Sequence, residues 1–165
     1  WAQGIDPTPV LRPVTHPSLS TTITLTPDEV DDARLQGRLE DCLQQLCRTL
    51  RSQRRICGGI SLTLRYSDHR EVSTKARVMP DTCWEIDLSG LLRGLFQRSF
   101  QRRIRLRGMT VTLAELTDYA EQGSLFDARP PEEQRTRERS QRLALALDRL
   151  HQRFGEQAIR YGRAQ

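Results

Sequence analysis

Long apolar runs are missing from this 165-residue sequence, and none approaches the length that a membrane-spanning helix needs. The first residues also lack the hydrophobic region of a secretory signal peptide. We therefore expect a protein that has no membrane partner and works in the cytoplasm. Hydrophobic residues make up 36% of the chain, which is enough for one modest core.

The sequence is equally short of residues that build catalytic or metal centres. It has no CxxC motif and no histidine at zinc-finger spacing from its cysteines, which are Cys42, Cys47, Cys57 and Cys83. Small buried thiols in a reducing cytosol are typical of this pattern. The paired carboxylates Asp31-Asp32 and Glu40-Asp41 fall on the polar face of a predicted helix. We expect no catalytic residue, metal ligand or cofactor on this chain.

Arginine, by contrast, is abundant. The chain has 26 Lys and Arg residues against 21 Asp and Glu residues, and its formal net charge is +5. Most of the positive charge is arginine, whose planar guanidinium matches the geometry of a phosphate group. A basic balance of this size permits a polyanionic partner such as nucleic acid but does not require one.

Hydrophobic periodicity predicts the secondary structure. Alternation of apolar and polar residues indicates four strands, over residues 18–25, 60–66, 72–78 and 103–113. Apolar residues three or four positions apart indicate two helices, over residues 35–50 and 84–95. Each strand has one apolar face. The order predicts an α+β fold, β-α-β-β-α-β, with both helices on one face of a four-stranded sheet and the other face open.

Capping signals predict where these two helices begin. Thr26-Pro27-Asp28-Glu29 suits a helix start, with Thr26 as the cap and Pro27 at the first helical position. Thr82-Cys83-Trp84-Glu85 repeats the capping-box pattern before the second helix. We expect the helices to begin at these two motifs.

Both ends of the chain differ in character from its centre. Residues 1–17 contain four prolines and indicate an extended lead-in, so residues 18–117 form the predicted domain. Residues 118–142 are polar and indicate a linker. In the tail, residues 131–165, a short last helix is predicted from Leu143, Leu147, Leu150 and Phe154, and it ends at Gly155.

The open face of the predicted sheet carries hydroxyls and cations without an aromatic side chain or a carboxylate. Such groups bind phosphates, and a twisted sheet can lie along a duplex. An RNA-recognition module with the same element order stacks bases on aromatic rings, so contact with a duplex backbone fits better. The DNA-contacting residues that we predict are Ser18, Ser20, Thr22, Arg65, Lys75, Arg77, Arg103, Arg105 and Arg107.

A short motif, Gln122-Gly123-Ser124-Leu125-Phe126, follows the predicted domain in polar surroundings. Leu125 and Phe126 offer apolar area, and the Gln122 amide fixes register, which suits docking into a preformed pocket. The alternative is that Leu125 and Phe126 fold back onto their own domain.

Several of these elements together resemble the little finger domain of Y-family translesion DNA polymerases, the DinB and UmuC group. The matching elements are Gly4-Ile5-Asp6, Pro17-Ser18-Leu19-Ser20, Leu62-Thr63-Leu64-Arg65-Tyr66-Ser67-Asp68, Lys75-Ala76-Arg77 and Ile104-Arg105-Leu106-Arg107-Gly108. Gln122 to Phe126 resembles the family's motif for the bacterial sliding clamp, and 146–155 resembles the family's C-terminal end. Gly123 departs from the motif, which commonly has leucine there.

The resemblance implies a division of labour within a longer polymerase. The catalytic core, with its Mg²⁺-binding carboxylates, would precede this chain, which by itself would not transfer nucleotides. The chain would grip primer-template duplex, and residues 118–130, with Gln122, Leu125 and Phe126, would bind the sliding clamp. Two alternatives remain open: an adaptor from a catalytically inactive polymerase relative, and a ferredoxin-like protein-interaction module unrelated to DNA.

Overall fold

The computed structural model describes residues 17–102, 104–119 and 131–155. Within these ranges the chain forms the predicted order of strands and helices, followed by a third helix. The elements are β1 (Leu19–Glu29), α1 (Asp32–Ser52), β2 (Arg55–Tyr66), β3 (Glu71–Thr82), α2 (Glu85–Ser99), β4 (Leu106–Asp118) and α3 (Pro131–Phe154). The α+β fold predicted from the sequence is confirmed.

The four strands form one antiparallel sheet in the order β1-β4-β2-β3. Strands β2 and β3 form a hairpin, in which Ser61 pairs with Lys75 and Thr63 pairs with Ser73. Strand β4 lies between β1 and β2, so the two central strands each pair on both sides. Because β3 is at an edge, one side of its backbone has no neighbouring strand in the sheet.

Helices α1 and α2 cover one face of the sheet, as predicted. The leucines of the α1 stripe, spaced three or four residues apart, are buried together with the inward residues of the strands. Leu62, Leu64 and Val111 supply the sheet side of this core. All four cysteines are buried, and burial raises the pKa of the Cys57 thiol to about 12. Such thiols are protonated and unreactive at neutral pH.

The predicted start of α1 is wrong. Thr26 to Glu29 continue β1, and Glu29 pairs with Leu106 in the sheet. The helix begins at Asp32, where the Asp31 carboxylate accepts hydrogen bonds from the backbone N–H groups of Ala33 and Arg34. The Glu29 carboxylate accepts hydrogen bonds from the N–H groups of Asp31 and Val30, which lower the Glu29 pKa. Strand pairing thus overrides the local helix signal, and the helix begins at Asp32 rather than at Pro27.

The second capping motif lies at the predicted place but works differently. Thr82 is the last residue of β3, and its hydroxyl accepts a bond from the Trp84 N–H and donates one to Asp87. Trp84 occupies the N-cap position without a side-chain cap bond. The Thr82 side chain therefore fixes the turn between β3 and α2 from two residues before the N-cap.

Helix α3 begins at Pro131 rather than near Leu143, so the polar stretch before Leu143 is partly helical. It contacts the α1–α2 layer through polar side chains. Arg51 of α1 donates to both carboxylate oxygens of Asp148 at 2.7 and 3.0 Å, and to both of Glu85 at 2.9 and 2.8 Å. Arg137 of α3 makes a second forked pair with Asp87 at 2.6 and 2.7 Å. Charged pairs therefore hold this helix.

None of the helices in the described ranges is both long and apolar enough to cross a membrane.

Candidate nucleic-acid interface

The strand register aligns small hydroxyl side chains in rows across the open face of the sheet. One row runs from β1 to β3 through Thr22, Thr110, Thr63 and Ser73. The Thr22 and Thr110 hydroxyl oxygens are 2.9 Å apart, and Thr63 donates to Ser73 at 3.1 Å. These hydrogen bonds link hydroxyls of neighbouring strands, with each hydroxyl still able to bond a further partner.

A second row lies beside it and ends in a cation. It contains Ser20, Thr112, Ser61 and Lys75 in register. No aromatic ring lies on the open face within the residues that the structure describes, because Tyr66 of β2 is buried and donates its hydroxyl proton to the Ser99 carbonyl. The face therefore offers hydroxyls and charge but no surface for base stacking.

Thr110 and Thr112 belong to this face although sequence parity did not place them there. Between Arg65–Gly108 and Tyr66–Leu106 the pairing shifts by one residue, so Arg107 is an extra residue in β4. Such a bulge reverses which side of the sheet the following residues occupy. The signal was present in the sequence: arginines hold the odd positions up to Arg107, whereas apolar Val111 and Leu113 hold the odd positions after it.

Gly108 lies next to this bulge and allows a close approach between strands. A Cβ atom at position 108 would lie only 3.0 Å from the Ile23 carbonyl oxygen. The open face is shallowly concave around Gly108, with a depression of about 300 Å³ between Thr24 and Glu71. A side chain at this position would push β1 away from β4 and disturb both hydroxyl rows.

The predicted cations fall into two groups. Lys75 and Arg77 alternate along the edge strand β3 and are exposed, as is Arg105 just before β4. These three side chains form no ion pair with any residue in the described ranges. Their charges are therefore available to an external anion.

Arg65 and Arg107 form the second group, and each faces a carboxylate. Arg65 donates to Glu71 at 2.8 Å, and the Arg107 guanidinium lies 3.8 Å from the Asp28 carboxylate. The expectation that no carboxylate stands among the cations of this face is therefore wrong. Glu71 follows the turn after β2, and only the hairpin register brings it opposite Arg65.

The other predicted residues are partly outside the described ranges. Ser18 is exposed directly before β1, whereas Arg103 lies outside the residues that the structure describes. Strand β4 begins at Leu106, so the expectation that Arg105 lies within this strand is wrong. The whole motif from Gln122 to Phe126 also lies outside the described residues.

Nothing in the described ranges forms a metal centre. These ranges contain no group of three or more His, Cys, Asp or Glu side chains that could hold a metal ion. Asp31 and Glu40, which the sequence offered as candidate carboxylates, have structural roles. Asp31 caps α1, and Glu40 accepts a hydrogen bond from Ser89 of α2 at 2.7 Å.

Comparison with known proteins agrees with this geometry. Residues 16–125 match the model of the impB/mucB/samB family C-terminal domain. A search of curated proteins finds no match.

Solved structures with a similar fold come from Y-family DNA polymerases. A Dbh–Dpo4–Dbh chimera is 17% identical with a TM-score of 0.54, and the match covers 71% of this chain and 33% of the chimera. An insertion ternary complex of Dbh DNA polymerase is 16% identical with a TM-score of 0.51, covering 65% of this chain and 31% of that polymerase. The chain thus spans about a third of the length of these polymerases.

The family match extends from just before β1 to beyond the end of β4 and includes both helices of the core. It covers well over half of the chain, and the similar folds are those of Y-family polymerases. The chain belongs to the impB/mucB/samB family and carries its C-terminal domain, with a fold like that found in Y-family DNA polymerases.

Proposed function

We propose that this chain grips primer-template duplex DNA through the open face of its sheet, as part of a longer translesion polymerase that acts in DNA repair. The observation that carries the proposal is the pair of hydroxyl rows, with unpaired cations at the β3 edge. Hydroxyl and guanidinium groups bind phosphate oxygens, which every sequence presents alike. The grip is therefore independent of base sequence.

The composition of this face also argues against the alternative of a protein-interaction module. The core of a protein–protein interface is rich in aromatic residues and poor in charge. The open face has instead small hydroxyls in its centre and cations along its margin. A phosphate backbone complements that arrangement better than an apolar partner does.

We expect the isolated chain to bind duplex DNA weakly and without sequence preference. Counterion release gives a slope of roughly −0.9 per neutralised phosphate in a plot of log affinity against log salt. About four to six contacts predict a slope near −4 to −5. Fluorescence anisotropy with two unrelated duplexes across a salt series measures both quantities. A slope near zero, or a strong preference for one duplex, would contradict the proposal.

A second proposed activity is docking on the bacterial sliding clamp through Gln122, Leu125 and Phe126. Burial of a leucine and a phenylalanine contributes roughly 1.5–3 kcal/mol each before ordering costs. A flexible peptide loses much of this free energy on ordering, so the affinity is expected to be micromolar. The support comes from the resemblance of this motif and from its position after β4.

Peptides spanning residues 119–129 test the clamp proposal by titration onto the purified clamp. Leu125→Ala combined with Phe126→Ala is expected to abolish binding. Gly123→Leu is expected to tighten it, because it adds an apolar contact and removes backbone freedom. Equal affinities for the wild-type and double-alanine peptides would show that the segment is an ordinary linker.

A further inference from the structure

Helix α3 presents a different surface to solvent from the one it uses for docking. Its docking side includes Arg137 and Asp148, which pair with the α1–α2 layer. At 100° per residue, five exposed arginines fall within an arc of about 80° on the opposite side of the helix. This arginine stripe consists of Arg135, Arg139, Arg142, Arg149 and Arg153.

Acidic residues of α3 lie away from the centre of the arginine stripe. Asp148 is on the docking side, and Glu132 and Glu133 are in the first turn. Glu138, at the margin, lies 3.4 Å from Arg142, but the two side chains are 63% and 82% exposed. Exposed pairs of this kind contribute little, so Arg142 can exchange Glu138 for another anion.

Most of the stripe has no such partner. Arg135, Arg139 and Arg149 form no ion pair within the part of the chain that the structure describes. Like charges three or four residues apart on a helix destabilise it. The pairs Arg135–Arg139 and Arg149–Arg153 therefore cost the helix free energy, and no ion pair of these side chains within the described residues offsets that cost. An external polyanion bound along the stripe would offset it.

The length and chemistry of the stripe fit a nucleic-acid backbone. From Arg135 to Arg153 it extends about 27 Å along the helix axis. That length matches about eight phosphates at 3.4 Å per step along one strand. All five cations are guanidinium groups, which fork onto phosphate oxygens.

We propose that the arginine stripe of α3 is a second binding surface for the phosphate backbone of DNA. The stripe lies on the α1–α2 side of the sheet. Its helix docks on Arg51, which belongs to α1 and is paired with Glu85 of α2, and on Asp87, which also belongs to α2. The open face of the sheet is on the other side. A strand held by the stripe is therefore a different segment of nucleic acid from the duplex on the open face.

The test uses the full chain with the open face weakened by Lys75→Ala and Arg77→Ala, so that binding by the stripe can be measured separately. Into this background we introduce Arg139→Gln, Arg142→Gln and Arg149→Gln together; glutamine has nearly the helix propensity of arginine. The control carries Arg34→Gln, Arg38→Gln and Arg98→Gln, which remove the same charge from exposed positions of α1 and α2. Circular dichroism confirms that all variants are folded.

Fluorescence anisotropy is measured with a labelled duplex and a labelled single strand across a salt series. The stripe variant is expected to lose roughly tenfold in affinity for at least one of the two, with a salt slope shallower by about three. The control is expected to change by less than about twofold, since its three charges do not lie along one continuous stripe. Replacing the same three arginines by lysine is expected to retain the slope.

Equal losses in the stripe variant and the control would overturn the proposal, because net charge alone would then explain the binding. No loss in either would overturn it as well. Anionic vesicles are the third ligand, since Leu143, Leu150 and Phe154 beside the stripe are partly exposed. Stripe-dependent binding to vesicles without any to DNA would assign the stripe to membranes instead. The effect of Lys75→Ala and Arg77→Ala alone, compared with the wild type, tests duplex binding by the open face. It does not test the arginine stripe.

Discussion

Replacing Lys75, Arg77 and Arg105 by alanine is expected to lower the affinity of the chain for duplex DNA at least tenfold at moderate salt, and to make the salt slope shallower by about three. All duplex sequences should weaken alike, because these side chains meet phosphates. The same anisotropy titrations measure the effect.

The size of this effect follows from the ion pairs on the open face. Lys75, Arg77 and Arg105 have no carboxylate partner in the described ranges, so nothing inside the domain neutralises them. The charge of Arg65 is partly neutralised by Glu71, and Arg107 is near Asp28. Arg65→Ala alone is therefore expected to have a smaller effect than Lys75→Ala or Arg77→Ala.

Glu71→Gln is the matched variant with the opposite expected sign. It removes a negative charge from the open face and releases Arg65 from its 2.8 Å pair. Binding should tighten, and the salt slope should steepen by about one. If the triple variant binds like the wild type, or if Glu71→Gln weakens binding, the open face is not the DNA-contacting surface.

Arg51→Ala is expected to destabilise the chain by about 3 kcal/mol and to release α3. The Arg51 side chain is only 8% exposed and forks onto Glu85 and Asp148. Burial alone lowers the Arg51 pKa, but the bonds to Asp148 and Glu85 outweigh it and raise the pKa overall. Arg51 is therefore permanently charged. Its removal leaves Glu85 without this partner and Asp148 with only Arg48, at 3.6 Å, which costs more than the loss of one exposed pair.

Urea unfolding followed by Trp84 fluorescence measures this change, because the Arg51 guanidinium lies 5.2 Å from the centre of the Trp84 ring. Arg34→Ala is the control, since Arg34 is 76% exposed and pairs with Glu29 at 3.5 Å. It should change the free energy of unfolding by less than about 0.5 kcal/mol. Equal effects of the two substitutions would show that the Arg51 cluster does not hold the helix.

Local periodicity in the sequence is sufficient to predict the layered core of this protein. The stripe from Leu35 to Leu50 and the alternation of 60–66 each place apolar side chains on one side, and only one layer arrangement buries both sides at once. The same alternation left hydroxyls and cations on the opposite face. For this reason the fold class and the covered face could be predicted from local patterns alone. So could the position of Ser20, Thr22, Lys75 and Arg77 on the open face.

Tertiary structure alone decided the features that depend on pairing between distant segments. Glu29 pairs with Leu106 and so extends β1 through a strong helix-start motif. The extra residue at Arg107 turns Thr110 and Thr112 onto the open face, and hairpin register sets Glu71 beside Arg65. Helix α3 docks through ion pairs, because Arg51, which lies 97 residues before Asp148 in the chain, binds its carboxylate. A register or an ion pair is fixed by the partner segment, and no local pattern records which partner that is.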